Sequence, residues 1–598
     1  MLAASRVEAI TLPKKFFKQI DKMAGQPLAL LAFICIATGV SAAFTWPSYS
    51  FPSYATPVPK PPPTTYARPF VAVSSLVPNQ TTTTWLSIAT PTDSTAKYGN
   101  YAWSALWTGL NSSVTPPPFT TTPAATPIPS SELIKPPQLP FTIGHGHNHT
   151  FSQDFIFGFG SSAVQGEGAS MNEGRGPSIT EKLFNGSSIA YLGYYLYKQD
   201  IARMAAAGVQ SYTFSISWTR ILPFGVPGSP VNQEGIDHYD DLINTLLEYG
   251  ISPMVTLTHY DTPLYYYTNT SFNGWDHPEF VEGFVNYAKI VLSHYADRVG
   301  HWVSINQPTT DAIAFNNWKS SYNVVMAHAH VVHWYREVLK GTGKWTMKLS
   351  LQKGFTLPLD PRNASHVEAA ERELDFTIAQ FANPLFLGEQ VPESLFAALG
   401  DRAPTYTDEE LGYVNGTCDL FSLNFYSAEY VTPPPGGFDA CIKNSSSPIS
   451  PKCVTGLTAR NHWDVGVTSN VGRMMGVTEL RPFFRYVWSR WQSPGGIIVP
   501  EFGWAPFESS AMSKAQQQSD IMGSVWYQSM LNEMLRATNE DGVPFVGALG
   551  WSFLDNWEFG SFRPQYGVVG WNSTTLQRYY RRTIFDFLDF VNLRRKVT

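Results

Sequence analysis

Residues 234–259 read EGIDHYDDLINTLLEYGISPMVTLTH, and this stretch decides the fold. Ile236, Tyr239, Leu242, Ile243, Leu246 and Leu247 recur at spacings of three and four, so they share one face of a helix. Gly250 supplies the stop. The run that follows, SPMVTLTH, is short and apolar nearly throughout, which suits a strand buried on both faces. Working outward, the same texture recurs: FIFGFGSS (155–162), SYTFSISW (211–218), HWVSINQP (301–308), WTMKLSLQ (345–352), LFSLNFYS (420–427), GIIVPEFG (496–503) and FVGALGWSF (545–553). Helical segments lie between them. Eight strand–helix units over roughly 440 residues predict an α/β fold, a (β/α)8 TIM barrel with elaborated loops, from 151 to 598. Active sites of that fold lie at the C-terminal ends of the strands.

The polar residues at those ends form a coherent set. The first run leads to Gln165 and Glu167, the third to His259 and Asp261, and the fourth to Asn306 and Gln307. The sixth ends in Asn424 and Tyr426, the seventh reaches Glu501, and the eighth reaches Trp551, Asp555, Asn556 and Glu558. Amides, an imidazole, a phenol, carboxylates and an indole around one mouth suit a polyhydroxylated ligand, hydrogen-bonded at its hydroxyls and stacked at its ring. Asp555 and Asn556 have an equally good reading as caps of the turn that follows them.

The chain resembles glycoside hydrolase family 1, the β-glucosidase and β-galactosidase group, from about residue 155 to about residue 582. The resemblance rests on FIFGFGSSAVQGEGA, GRGPSI, DIARMAAAGVQSYTFSISWTRILP, VTLTHYDTP, AHAHVV and WSFLDNWEFG, which occur in the family's order. It implies that Glu501 is the nucleophile of a retaining mechanism. It further implies that Gln165, His259, Asn306 and Glu558 hold sugar hydroxyls, that Trp551 is the platform beneath the ring, and that Tyr426 and Asn424 stand beside the nucleophile. Phe559 stands where the family has a second tryptophan. No cofactor and no metal site is implied.

Three departures surround the reaction centre. The acid/base glutamate is Gln307, the arginine beside the nucleophile is Thr213, and the asparagine after it is Phe502. An amide neither donates nor accepts a catalytic proton near neutral pH, and general acid–base catalysis contributes about 10²–10⁴-fold. Alkyl glucosides, with poor leaving groups, should suffer most. Asp311 is the nearest replacement carboxylate in sequence. Without a cation near it, Glu501 should titrate higher.

Three functions are compatible with this pattern. The first is a secreted β-glucosidase-like O-glycosyl hydrolase with altered acid/base machinery, whose partner is a β-glycoside or oligosaccharide. The second is a glycoside-binding protein that has lost the chemistry. The third is a wall or surface protein that uses the barrel as a scaffold. A thioglucosidase-like enzyme, acting on glycosides with good leaving groups, is a variant of the first.

The remaining features concern compartment. Lys14, Lys15, Lys18 and Lys22 precede PLALLAFICIATGVSAA (27–43), the order of a signal peptide, or of a signal anchor if uncleaved. Residues 44–150 are rich in Pro, Thr and Ser and read mostly as linker or stalk. A short ordered piece around YGNYAWSALWTGL (98–110) is compatible with that reading. Sequons occur at Asn79, Asn111, Asn148, Asn185, Asn269, Asn363, Asn415, Asn444 and Asn572. Beyond Cys35 in the apolar run, the cysteines are Cys418, Cys441 and Cys453; the last two flank a polar loop and are the preferred disulfide pair. A net charge of −6 gives no support to nucleic-acid binding.

Overall fold

The computed structural model describes residues 65–77, 81–85, 95–110, 117–139, 143–144, 148–184, 189–268, 274–351, 354–444, 446–506 and 512–596, apart from the side chains of 311, 312 and 314. The expected signal or anchor segment lies outside these residues, as do Asn79, Asn111, Asn185, Asn269 and the side chain of Asp311. Among the described residues, no helix is long and apolar enough to cross a membrane.

Eight parallel strands close into a barrel: β1 (Ile156–Gly160), β2 (Ser211–Ser215), β3 (Ser252–Thr258), β4 (His301–Asn306), β5 (Lys344–Ser350), β6 (Phe421–Asn424), β7 (Ile497–Phe502) and β8 (Phe545–Trp551). Neighbours in space are neighbours in sequence, and β8 returns to β1 with Gly547 opposite Ile156. All eight expected strands are present. Around them pack α1 (Gly193–Ala207), α2 (Gln233–Glu248), α3 (Phe280–Tyr295), α4 (Ser320–His333), α5 (Ala364–Leu374), α6 (Leu480–Arg490), α7 (Ile521–Glu540) and α8 (Arg582–Arg594). On α2, Ile236, Tyr239, Leu242, Ile243 and Leu246 are buried and Leu247 is half-buried. Gly250 ends the unit with φ 71°, a left-handed conformation that favours glycine.

Two layers of side chains follow from the two-residue period of the strands. On β5, Trp345, Met347 and Leu349 join the large apolar layer shared with the helices. Thr346, Lys348 and Ser350 occupy the alternate positions and are buried on the other face. A separate apolar cluster of Met254, Val303, Ile498 and Leu549, one residue from each of four strands, with Leu420 just before β6, fills the barrel interior. The barrel is therefore a packed core, and the site must sit on top of it.

The stretch expected to be mostly linker contributes buried side chains. Tyr66 N–H donates to the Asp297 carbonyl (3.0 Å), and the ring of Phe70 stacks on His294 at 3.7 Å. Thr82 and Thr83 pair in parallel with Val231 and Asn232. Trp85, Trp103 and Trp107 form a buried cluster, with Trp103 on a helix spanning Asn100–Leu106, and its indole N–H donates to the Gly174 carbonyl at 3.0 Å. The tryptophans explain the difference: a solvated stalk has no use for them, whereas one large ring buries enough area to hold an otherwise polar segment on a surface. Cys441 and Cys453 form a disulfide and Cys418 is free and buried, matching the preferred pairing.

Candidate active site

Side chains from most of the strand ends converge on one cavity of about 470 Å³. Gln165, His259, Gln307, Asn424, Tyr426, Glu501, Trp551 and Glu558 line it. Asn306 lies buried beneath. The nine residues expected from sequence thus come together at the mouth that the fold provides.

A continuous hydrogen-bond chain orders them. His259 Nε2 meets Asn306 Nδ2 at 3.3 Å; Asn424 Nδ2 donates to Asn306 Oδ1 (3.1 Å) and to Glu501 Oε2 (2.9 Å). Tyr426 Oη donates to Glu501 Oε1, and Gln307 Nε2 donates to the same oxygen at 3.3 Å. The end groups of Gln307 and Glu501 thus face each other across the site in direct hydrogen-bond contact. The indole of Trp551 lies parallel to the His259 ring (9°, centroids 5.5 Å apart) and donates to Glu558 Oε1 at 3.3 Å. Gln165 accepts from Ser162 Oγ (2.8 Å), and its amide also hydrogen-bonds Glu558.

Gln307 is held on both sides. Its Oε1 accepts from Tyr260 Oη, which also lies 3.1 Å from Thr310 Oγ1. Gln307 has φ 47° and Tyr260 φ 64°. Non-glycine residues rarely adopt that region, and strained positions cluster at functional sites. The backbone N–H of Gln307 donates to the Lys348 carbonyl at 2.8 Å, tying it to β5.

The electrostatics are those of a buried polar floor. Burial pushes the Glu501 carboxyl up, opposed by the Lys348 ammonium and by the hydrogen bonds from Tyr426 and Asn424. Lys348 is itself buried, and its Nζ donates to Thr213 Oγ1 at 3.2 Å. Burial brings that amine down to about 8, with Glu501 opposing. His259 is held well below the usual imidazole range by burial and then by Lys348. Glu558 touches the cavity but is otherwise enclosed; burial pushes it up to about 8, with Trp551 opposing and Glu501 adding to the rise.

The last shift has a consequence for stability. A carboxyl raised in the fold binds its proton more tightly there than in the unfolded chain. Its stabilising effect is complete below the unfolded pKa near 4.3 and is lost as pH rises through about 8. Chemical denaturation at pH 4 and pH 8 should therefore give a smaller pH-dependent loss in Glu558→Gln than in the parent, by roughly 1–3 kcal/mol.

Other strand-end residues serve the scaffold. Glu167 accepts from Arg220 Nε (3.0 Å) and Tyr239. Asp261 accepts from Thr258 and the His259 N–H within its own turn. Asp555 forms a two-pronged pair with Arg581 at 2.8 and 2.7 Å. Asn556 is buried away from the cavity lining. Phe502 is fully buried and points outward, among Trp526, Tyr527 and Phe587, so that departure is one of core packing. Phe559 lines the cavity edge-on to Tyr260.

Sequence reasoning missed Lys348, Tyr260, Arg473 and Tyr566; all but Lys348 line the cavity. A lysine in the middle of a strand expected to be buried on both faces was the available signal for Lys348, and the phenol between His259 and Asp261 the signal for Tyr260. Arg473 and Tyr566 come from long loops whose course no local pattern reveals.

A mouth that is amide- and carboxylate-lined below and aromatic at its walls, set on an eightfold parallel barrel, places this protein among the carbohydrate-active (β/α)8 hydrolases. Residues 147–595 match the family model described as Glycosyl hydrolase family 1, and the chain belongs to that family. It is a β-glucosidase-like glycoside hydrolase. It is 30% identical to Beta-glucosidase 1B of Phanerodontia chrysosporium over 71% of this chain and 83% of that one. It is 32% identical to Beta-glucosidase 17 of Arabidopsis thaliana over 70% and 86%. The Humicola insolens family 1 β-glucosidase, solved with glucose, superposes with TM-score 0.68 at 28% identity, covering 75% of this chain and 99% of that one. A glutamate-to-glutamine mutant of a rice β-glucosidase in covalent complex with glucose gives the same TM-score and identity, covering 74% and 99%.

Proposed function

We propose that the protein is a secreted β-glycosidase with Glu501 as nucleophile, restricted by Gln307 to glycosides whose aglycone departs without protonation. The observation that carries this reading is the three-way hydrogen bonding of Glu501 by Tyr426, Asn424 and Gln307. It aims one carboxylate into a cavity whose Gln165, His259, Asn306 and Glu558 suit sugar hydroxyls and whose Trp551 suits a ring face. Gln307 occupies the acid's place but donates only an amide hydrogen, so a leaving group must be stable as an anion. A solved relative that carries a glutamate-to-glutamine change is in covalent complex with glucose, a precedent for a protein of this fold that bonds glucose after losing one glutamate. Secretion is supported by the disulfide and by exposure of Asn148, Asn363, Asn415, Asn444 and Asn572, the five sequon asparagines described.

The test compares 2,4-dinitrophenyl and methyl β-glucosides, each with and without azide. The expected result is turnover of the activated substrate alone, accelerated by azide, which attacks the glycosyl enzyme without needing a base. Saturable glucose binding by calorimetry with no turnover of either substrate would replace this reading with that of a glycoside-binding protein.

A further inference from the structure

Lys348 is a full charge in a place where charges are costly. Its side chain is 1% exposed and sits on the inward face of β5, between Thr346 and Ser350. A lone ammonium inside a barrel must have a counterpart or lose its proton. It donates a hydrogen bond across the barrel to Thr213 on β2, a neutral hydroxyl, at 3.2 Å. Lys348 pairs in register with Asn306 on β4, and Asn306 Oδ1 accepts from the Asn424 amide that also donates to Glu501 on β7. This ties the Lys348 position to the hydrogen-bonded floor that carries Glu501. The two charges act on each other with opposite sign. His259 feels the ammonium in the opposite sense.

We propose that Lys348 is the counter-ion of Glu501, a positioning residue that keeps the carboxylate ionised from the far side of the barrel where position 213 carries only a hydroxyl. The proposal rests on the reading of Glu501 as nucleophile. A nucleophile must be deprotonated to attack the anomeric carbon, and burial works against that. Tyr426 and Asn424 donate hydrogen bonds to it but bring no charge. The other titratable groups of the cavity near Glu501 are Tyr426, Glu558, Tyr566 and Arg473. Arg473 is a cation, but it hydrogen-bonds Tyr566, and the cation that acts on Glu501 is Lys348. Lys348 and Thr213 meet at 3.2 Å, so an arginine built at 213 would place its charge in the region that Lys348 now fills. The interaction is then a property of charge at one point in the lumen, independent of the strand that delivers it.

The experiment follows labelling of Glu501 by 2,4-dinitrophenyl 2-deoxy-2-fluoro-β-glucoside, read as intact mass across pH, in the parent, Lys348→Met, and Lys348→Met with Thr213→Arg. Removing an opposite charge should raise the acid limb of the labelling rate by about one to three pH units and slow labelling about 10–1000-fold below it. Adding Thr213→Arg should recover most of that loss. Labelling of Lys348→Met at the parental rate with an unmoved acid limb would overturn the proposal. So would failure of the arginine to recover labelling in a variant whose near-ultraviolet circular dichroism shows a native fold. If the parent itself is never labelled, the hydrolase reading fails separately. The ion pair is then read from a stability cycle at pH 7 with Glu501→Gln: a loss in Lys348→Met relieved by Glu501→Gln supports it, and additive effects overturn it.

Discussion

Replacing Gln307 with glutamate is expected to raise kcat/KM for methyl and unactivated aryl β-glucosides by about 10²–10⁴-fold. The gain comes from one proton. In the parent, Gln307 accepts from Tyr260 and donates to Glu501 at 3.3 Å, so its amide is oriented but chemically inert. A glutamate in the same frame would lie next to an ionised carboxylate, and two neighbouring carboxyls do not both ionise readily. The second proton stays on position 307, which is the condition for a general acid. The Tyr260 hydroxyl, already aimed at that position, would steady the carboxylate formed when the proton leaves. A 2,4-dinitrophenyl glucoside needs no acid and should gain far less in its first step. Steady-state rates over a series of leaving groups check this: the parent should depend steeply on aglycone acidity, and the variant should lose that dependence. Equal slopes in both would mean that Gln307 is not at the proton's position.

Glu501→Ala should abolish turnover of the activated glucoside, by on the order of 10⁴-fold, since it removes the atom proposed to bond to the sugar. Azide then separates mechanism from mere loss. In the parent, azide attacks a glycosyl enzyme from the face opposite Glu501, and two inversions give a β-glucosyl azide. In Glu501→Ala it enters from the space the carboxylate vacated, and one inversion gives the α-azide. Product stereochemistry by nuclear magnetic resonance is the measurement. A β-azide from the variant would exclude Glu501 as nucleophile.

Much of this architecture was legible because the barrel imposes strong local rules. A strand buried on both faces must be apolar and short, and its polar residues must wait until it ends. That is why Asn306, Asn424, Glu501 and Trp551 stand out in linear sequence and then meet in space. What the sequence withheld has a different physical origin. Lys348 acts on Glu501 across a lumen, through residues more than a hundred positions apart, and alternation alone does not say which interior charge it faces. Tyr260 matters through a hydroxyl that reaches Gln307, and both residues adopt left-handed backbone conformations that no local sequence pattern announces. Phe502, which reads as damage beside the nucleophile, belongs to the packing layer because the strand period turns it outward. Composition misled most over residues 65–139, where proline and threonine mask widely spaced anchors: Tyr66, Phe70, Trp85, Trp103 and Leu133.

Those anchors redraw the unit on which selection acts. The family match begins at residue 147, yet Trp103 donates to the carbonyls of Gly174 and Arg175, and Glu132 pairs with Arg203 of α1 at 2.7 Å. A boundary drawn by kinship is a statement about ancestry; a boundary drawn by contacts is a statement about what melts together. Here the second lies upstream of the first. The preceding segment is thus not a detachable accessory that can be shuffled onto another barrel. Its tryptophans and the loop they cover must change in concert.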